Sequence, residues 1–231
     1  MTNMTNNSII SNNISNLFER TQKYNYTLVA VTKTRSIEDI KQILSAGILH
    51  IAENRVQEAE QKLFSLLNIP FQNVSQNVLK HMIGHLQINK VKKAVALFDI
   101  IQSVDSIQLA EKINAESQKL NKAQQIMLQI NIGEEPQKSG FSKQEIYQSF
   151  EKIRHLSNIK IIGLMCIAPD IKLYGEQRVR LCFKEMKSIF EKFNSSFDAH
   201  LIYLSMGMSD DYEVALEEGS NMVRIGRKLF E

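Results

Sequence analysis

Residues 28–35 read Leu-Val-Ala-Val-Thr-Lys-Thr-Arg, a β-branched apolar run that delivers Lys33 to the end of a buried strand. An ammonium group at the edge of an apolar interior is costly to keep charged, and a lysine so placed can serve as a nucleophilic amine toward an aldehyde. Lys33 is therefore a candidate Schiff-base lysine. The same octapeptide also fits a strand that simply ends in a solvated charge. A second group of residues lies near the C-terminus. Ser205-Met206-Gly207-Met208-Ser209-Asp210-Asp211 is a glycine-containing turn leading into a helix, and Arg224-Ile225-Gly226-Arg227 follows a short apolar run. Glycine lets the main chain approach a ligand, and free backbone N–H groups suit phosphate oxygens. Ser205 adds a hydroxyl and Arg227 a guanidinium, although Ser209 and its aspartates also read as an ordinary helix start. A Schiff-base lysine together with a phosphate cradle describes a site for pyridoxal 5′-phosphate (PLP), whose aldehyde and phosphate lie at opposite ends of one small molecule.

Other polar residues have readings that compete. Asn54 followed by Gln57 suits a helix cap as well as a ligand contact. His81 and His85 have metal-like spacing, but Gly84 and the strand pattern break any helix there, so no metal site is expected. Lys138, in a loop with Gly133, Pro136 and Gly140, reads as a solvated charge. Met165 and Cys166 read as packing residues. Tyr203 and Tyr212 could donate protons, yet nothing places either opposite Lys33.

The elements that must position these groups alternate. Strands are expected at Leu28–Lys33, Ile48–Glu53, His81–Gly84, Phe98–Val104, Ile126–Ile132, Ile159–Ile167, Leu201–Met206 and Met222–Gly226, with amphipathic helices between them. Ile37, Ile40, Ile43 and Leu44 mark one helix face that Gly47 should terminate. Ser142 and Glu145 have capping-box spacing. Val179, Phe183, Met186, Phe190 and Phe193 form a long core-facing stripe, and Gly219 should close another helix. Eight strands alternating with helices point to a single-domain α/β protein, a (β/α)8 TIM-type barrel. Only five residues follow Gly226, too few for an ordinary eighth helix. The N-terminal segment, residues 1–27, is expected to place Ile10, Ile14, Leu17 and Phe18 in that gap, with residues 28–231 forming the barrel.

The bulk numbers exclude several partners. The 231 residues carry 28 basic and 25 acidic side chains, a net charge of +3 without a basic cluster, which disfavours nucleic acid. No apolar run is long enough to span a bilayer, and the N-terminus lacks the pattern of a secretory signal. Cys166 and Cys182 form no metal or disulfide pattern, which suits the cytoplasm.

Seven stretches carry a family resemblance: Val-Ala-Val-Thr-Lys-Thr-Arg (29–35), Ala-Glu-Asn-Arg-Val-Gln-Glu (52–58), His-Met-Ile-Gly-His-Leu-Gln-Ile-Asn-Lys (81–90), Lys-Ser-Gly-Phe (138–141), Gly-Leu-Met (163–165), Leu-Ser-Met-Gly-Met-Ser-Asp-Asp (204–211) and Met-Val-Arg-Ile-Gly (222–226). In this order and spacing the chain resembles the pyridoxal phosphate homeostasis proteins (the YggS or proline synthetase co-transcribed family), whose barrel is similar to the N-terminal domain of alanine racemases. The resemblance implies that Lys33 carries PLP as an aldimine and that Arg224 faces the pyridine nitrogen. Ser205, Gly226 and Arg227 would surround the phosphate, while Asn54 and the turn Ser205-Met206-Gly207 would line the ring. Three departures stand out: Ala52 replaces a usual Gly, Lys80 a common Trp, and Arg227 a frequent Ser or Thr, which removes a hydroxyl but leaves an N–H and a charge.

A guanidinium only donates, so a pyridine nitrogen facing Arg224 stays unprotonated and the ring is a weak electron sink. Related racemases draw a second base from a further domain of a partner subunit, and this chain is expected to end with the barrel. The implied role is intracellular PLP homeostasis, a monomer holding the cofactor and delivering it to apo-enzymes, with no catalytic residue of its own. A low-activity PLP-dependent amino-acid racemase is the alternative.

Overall fold

The computed structural model describes residues 2–67 and 77–231. After the helix α1 (Thr2–Thr21) the chain runs β1 (Thr27–Val31), α2 (Ile37–Ser45), β2 (His50–Glu53), α3 (Val56–Leu67), β3 (Leu79–Met82) and, past one 3-10 turn, α4 (Val91–Leu97). It continues β4 (Ile100–Val104), α5 (Ile107–Lys119), β5 (Gln124–Ile130), α6 (Glu145–Ile153), β6 (Ile159–Cys166) and α7 (Ile171–Ser196). The last elements are β7 (Tyr203–Ser205), α8 (Tyr212–Glu217), β8 (Met222–Ile225) and α9 (Arg227–Phe230). All the strands pair in parallel in sequence order, and β1 closes on β8, so the sheet is an eight-stranded barrel. This is the TIM-type barrel that the alternating pattern predicts.

Each strand alternates an outward and an inward side chain. Outward residues such as Ile51, Ile101, Leu128 and Leu164 meet the helices in the main core, to which α7 contributes its whole stripe of Val179, Phe183, Met186, Phe190 and Phe193. Inward residues form a smaller cluster including Val29, Ala52, Ile100, Met127 and Met222. The interior is not wholly apolar: His81, Gln102, Ser205 and Arg224 also face it and are fully buried.

The helix signals hold at the expected places. Gly47 ends α2 at φ +83°, Gly219 follows α8 at φ +90°, and Ser142 and Glu145 form their reciprocal cap. A second capping box, Ser36 with Asp39, starts α2. α1 fills the gap in the outer ring. Ile10, Ile14 and Leu17 pack with Ile43, Tyr212, Leu216 and Leu229, in the position where a longer eighth helix would lie. Phe18 departs from the expected face and is 42% exposed, because the contact surface is a narrow stripe that closes with Leu17. The strands are shorter than their apolar runs. β1 stops at Val31, where the chain turns at Lys33 and Thr34, and β7 spans only Tyr203–Ser205, because Leu201 is buried without ladder pairing.

Candidate functional site

At the C-terminal end of the strands a cavity of about 430 Å³ opens, walled by residues that include six strand ends. Val31 and Lys33 come from β1, Asn54 from β2, Ile83 from β3, and Ile167 to Ile171 follow β6. Met208 to Asp211 follow β7, and Arg224, Gly226 and Arg227 come from β8.

Lys33 is in the turn after β1 and is exposed on the cavity wall. The apolar burial expected from the octapeptide is therefore absent, because the strand ends before the lysine. The turn is instead held from beneath. Thr32 Oγ1 donates to Glu53 Oε1 at 2.7 Å, and Lys62 Nζ donates to the Thr32 carbonyl at 2.7 Å, to Glu53 at 3.0 Å and to Glu58 at 2.7 Å. Glu58 also accepts from the Thr34 N–H at 2.5 Å, and Thr34 has a left-handed backbone at φ +61°. Both neighbours of Lys33 are thus tied to one ionic cluster. Burial holds the Glu53 carboxyl above its ordinary range, against the pull of Thr32 and Lys62.

Asn54 lies just past the end of the neighbouring strand β2 and also lines the cavity. Its Oδ1 is buried with no hydrogen-bond partner, so the capping reading fails and an acceptor is left unused beside the cavity. Close approach of β3 puts it there: a Cβ on Gly84 would lie 2.2 Å from the Asn54 carbonyl oxygen. Arg224 is 2% exposed at the cavity floor, with Nη1 donating to Ser205 Oγ at 2.7 Å and Nη2 to the Cys166 carbonyl at 2.8 Å.

The turn after β7 differs from expectation. Ser205 is fully buried beneath Arg224, Met206 packs in the main core, and Gly207 turns against α8 at φ +96°, so none of the three lines the cavity. Ser209 does. Its Oγ accepts from the N–H groups of Gly226 and Lys228 at 3.3 and 3.5 Å, joining the two glycine segments into one wall. Arg227 also lines the cavity, but its guanidinium pairs with Asp210, which Lys172 approaches at 3.4 Å. Lys138 is no free surface charge. The loop folds back as Phe141 N–H bonds Gln129, placing Lys138 in the cavity wall with Nζ on the Ala168 carbonyl at 3.0 Å. His81 faces the barrel interior while His85 pairs with Asp105 at 3.0 Å, so the two do not converge. Tyr212 is buried in the outer layer and Tyr203 belongs to the inner cluster, both away from the cavity wall.

A closed parallel barrel with an exposed lysine and a buried arginine at its C-terminal mouth defines a TIM-type barrel of the alanine racemase kind. The sequence pattern of the alanine racemase N-terminal domain family matches residues 6–230. Pyridoxal phosphate homeostasis proteins of Synechocystis sp. and Aquifex aeolicus are 40% and 34% identical, each over 203 residues, 88% of this chain and 89% and 85% of theirs. The structure of PipY from Synechococcus elongatus superposes with a TM-score of 0.85 without PLP and 0.82 with PLP bound, at 31% and 30% identity, covering 96% of this chain and 100% of PipY. An alanine racemase of Clostridium difficile, 15% identical, shares the fold with a TM-score of 0.77 over 96% of this chain and 56% of its own. The chain belongs to the alanine racemase N-terminal domain family, among its pyridoxal phosphate homeostasis proteins.

The residues present fit such a cofactor. The cavity has room for a compact phosphorylated ring, and Asn54 leaves an acceptor unused at its wall. The lining cations Lys33, Lys138, Arg224 and Arg227 would favour an anionic ligand in a mouth that also carries Asp170, Asp210 and Asp211.

Proposed function

We propose that this protein binds PLP at the barrel mouth, holds it through Lys33 and passes it to apo-enzymes in the cytoplasm, acting as a monomer and without a reaction of its own. The observation that most supports this is the shared cavity wall: an exposed amine, an unpartnered Asn54 oxygen and a donor-only Arg224 surround one space. When bound, PLP supplies an aldehyde that an amine captures with loss of water, a pyridine nitrogen and a phosphate.

Each side chain then has a defined task. Lys33 offers the amine from a turn whose two flanking residues are fixed. Arg224 donates to the ring nitrogen and keeps it unprotonated, because a guanidinium has no lone pair to accept with. Ser209, Gly226 and Arg227 surround the phosphate, with the Arg227 charge shared with Asp210. Ser205, Met206 and Gly207 act from below, by supporting Arg224 and shaping the turn. The exposure of Lys33 also suits delivery, since an acceptor lysine or a small amine can reach the site from solvent.

Mixing loaded protein with an apo-transaminase tests the role. Activity should return faster than free PLP at the same unbound concentration restores it. Cofactor that stays on the protein while the transaminase remains inactive contradicts delivery. In parallel, hydrogen exchange at Cα of L-amino acids should not exceed that given by free PLP; exchange that is lost on Lys33→Ala would establish a racemase-type activity instead.

A further inference from the structure

The floor of the cavity continues downward as a line of polar side chains through the barrel. From Arg224 Nη1 it runs to Ser205 Oγ (2.7 Å), to Gln102 Oε1 (2.7 Å), from Gln102 Nε2 to His81 Nδ1 (2.8 Å), and from His81 Nε2 to His50 Nδ1 (3.0 Å). These five residues come from β8, β7, β4, β3 and β2, so the line crosses the interior from one side of the barrel to the other. Barrel interiors are ordinarily filled by layers of aliphatic residues, and a polar row there survives only if its members satisfy one another.

Chemistry gives the row a direction. A guanidinium can only donate, so Ser205 accepts from Arg224 and turns its own hydrogen to Gln102 Oε1. That leaves the Gln102 amide nitrogen toward His81, with Met222 Sδ at 3.4 Å taking its second hydrogen. His81 must then accept at Nδ1, carry its proton on Nε2 and donate to His50. The ring stays neutral: burial, followed by the charges of His50 and Arg224, pushes His81 down to about 3. The direction beyond Ser205 rests on Gln102 presenting Oε1 to the serine hydroxyl; a flipped amide would make Ser205 a double acceptor and reverse both histidine links, which the His81 tautomer distinguishes.

We propose that Ser205, Gln102, His81 and His50 form a one-way hydrogen-bond chain that fixes the Arg224 guanidinium at the cavity floor, making Gln102 and His81 positioning residues for its contact with the ligand ring. The ligand part of this rests on the PLP reading above; the chain itself does not. With the Cys166 carbonyl holding Nη2 at 2.8 Å, the chain defines the plane of the guanidinium from a second side. Gln102 does not line the cavity, so any effect it has on ligand binding passes through its neighbours.

Two measurements on the full chain test this. In cofactor-free protein labelled with nitrogen-15 at histidine, His81 should show the Nε2–H tautomer at neutral and mildly alkaline pH. A proton on Nδ1, or an imidazolium, overturns the chain whether or not PLP binds. Next, Gln102→Met keeps side-chain volume but removes both links. In this variant the Arg224 guanidinium nitrogens should change from restricted to freely rotating by NMR, and PLP should bind on the order of 10-fold more weakly. If the variant loses only thermal stability, with Arg224 dynamics and PLP affinity unchanged, Gln102 is a packing residue and the positioning role is refuted. If the unmodified protein binds no PLP at all, the functional reading fails, while the tautomer and the Arg224 dynamics still decide the chain.

Discussion

Glu53 and Lys62 are the pair on which the Lys33 turn rests. Glu53 is buried and Lys62 nearly so, which makes their contact costly to break, since the remaining carboxylate would lie unpaired in a low dielectric. Lys62→Met should destabilise the protein by about 3 kcal/mol in denaturant unfolding near neutral pH. The sign with pH follows from Glu53, whose folded pKa is already raised. A raised carboxyl is tolerated in acid and penalised as pH climbs, so the deficit of the variant should shrink below pH 4.5 and grow above it. Asp210 allows the opposite test. It neutralises Arg227 at the rim, so Asp210→Asn should tighten binding of a dianionic phosphate ligand by roughly 3- to 10-fold, an effect that added salt reduces. Equal affinity of the two forms in a PLP titration would show that Arg227 takes no part. At this scale the lysine could be found from the apolar run before it, whereas the roles of Asn54 and Arg224 came from the family resemblance. Ser205 and Ser209 could not be told apart. The choice depends on Arg224 folding over Ser205 from the neighbouring strand, a tertiary fact that a hydroxyl beside a glycine does not report.

Among the elements, the β7–α8 turn has the least freedom. Gly207 has a positive φ, and an added Cβ would lie 2.6 Å from Ala215 Cβ and 3.0 Å from Tyr212 Cα. Gly207→Ala should therefore cost about 1–3 kcal/mol in stability. It should also weaken PLP binding, because Ser209 follows two residues later; both readouts come from one ligand titration monitored by thermal unfolding. The first helix makes a separate prediction. Removing residues 1–24 uncovers Leu229, Tyr212, Leu216 and Ile43, so the shortened chain should unfold several degrees lower than the full chain and should bind a hydrophobic dye. A variant of unchanged stability would show that this contact adds nothing. The helices and strands were legible because apolar spacing of 3.6 and of 2 is written directly in the sequence. Strand ends were not, since apolar residues such as Leu201 are buried by helices without joining the ladder. Lys138 was misjudged for a similar reason: its loop returns to the mouth through backbone bonds between Phe141 and Gln129, which no side-chain pattern announces.

For the molecule as a whole, the polar row inside the barrel couples fold stability to pH. Unfolded, His81 titrates near its ordinary value of 6.5, whereas folded it stays neutral down to about 3. Between those values the unfolded chain binds the extra proton, so stability is full above pH 6.5 and falls as pH drops. The slope contributed by this one group approaches ~1.4 kcal/mol per pH unit. Denaturant unfolding across that range should show it, and His81→Gln should flatten the curve; an identical curve in the variant would assign the acid sensitivity elsewhere. The same barrel presents one exposed amine above a guanidinium anchored from below, and the functional account depends on that amine. Incubation with PLP, reduction with borohydride and peptide mapping address it directly. The account predicts a visible absorption band that borohydride removes, with a single pyridoxyl group on the peptide containing Lys33. An adduct confined to Lys138, or none on a protein that stays colourless in excess PLP, would contradict it.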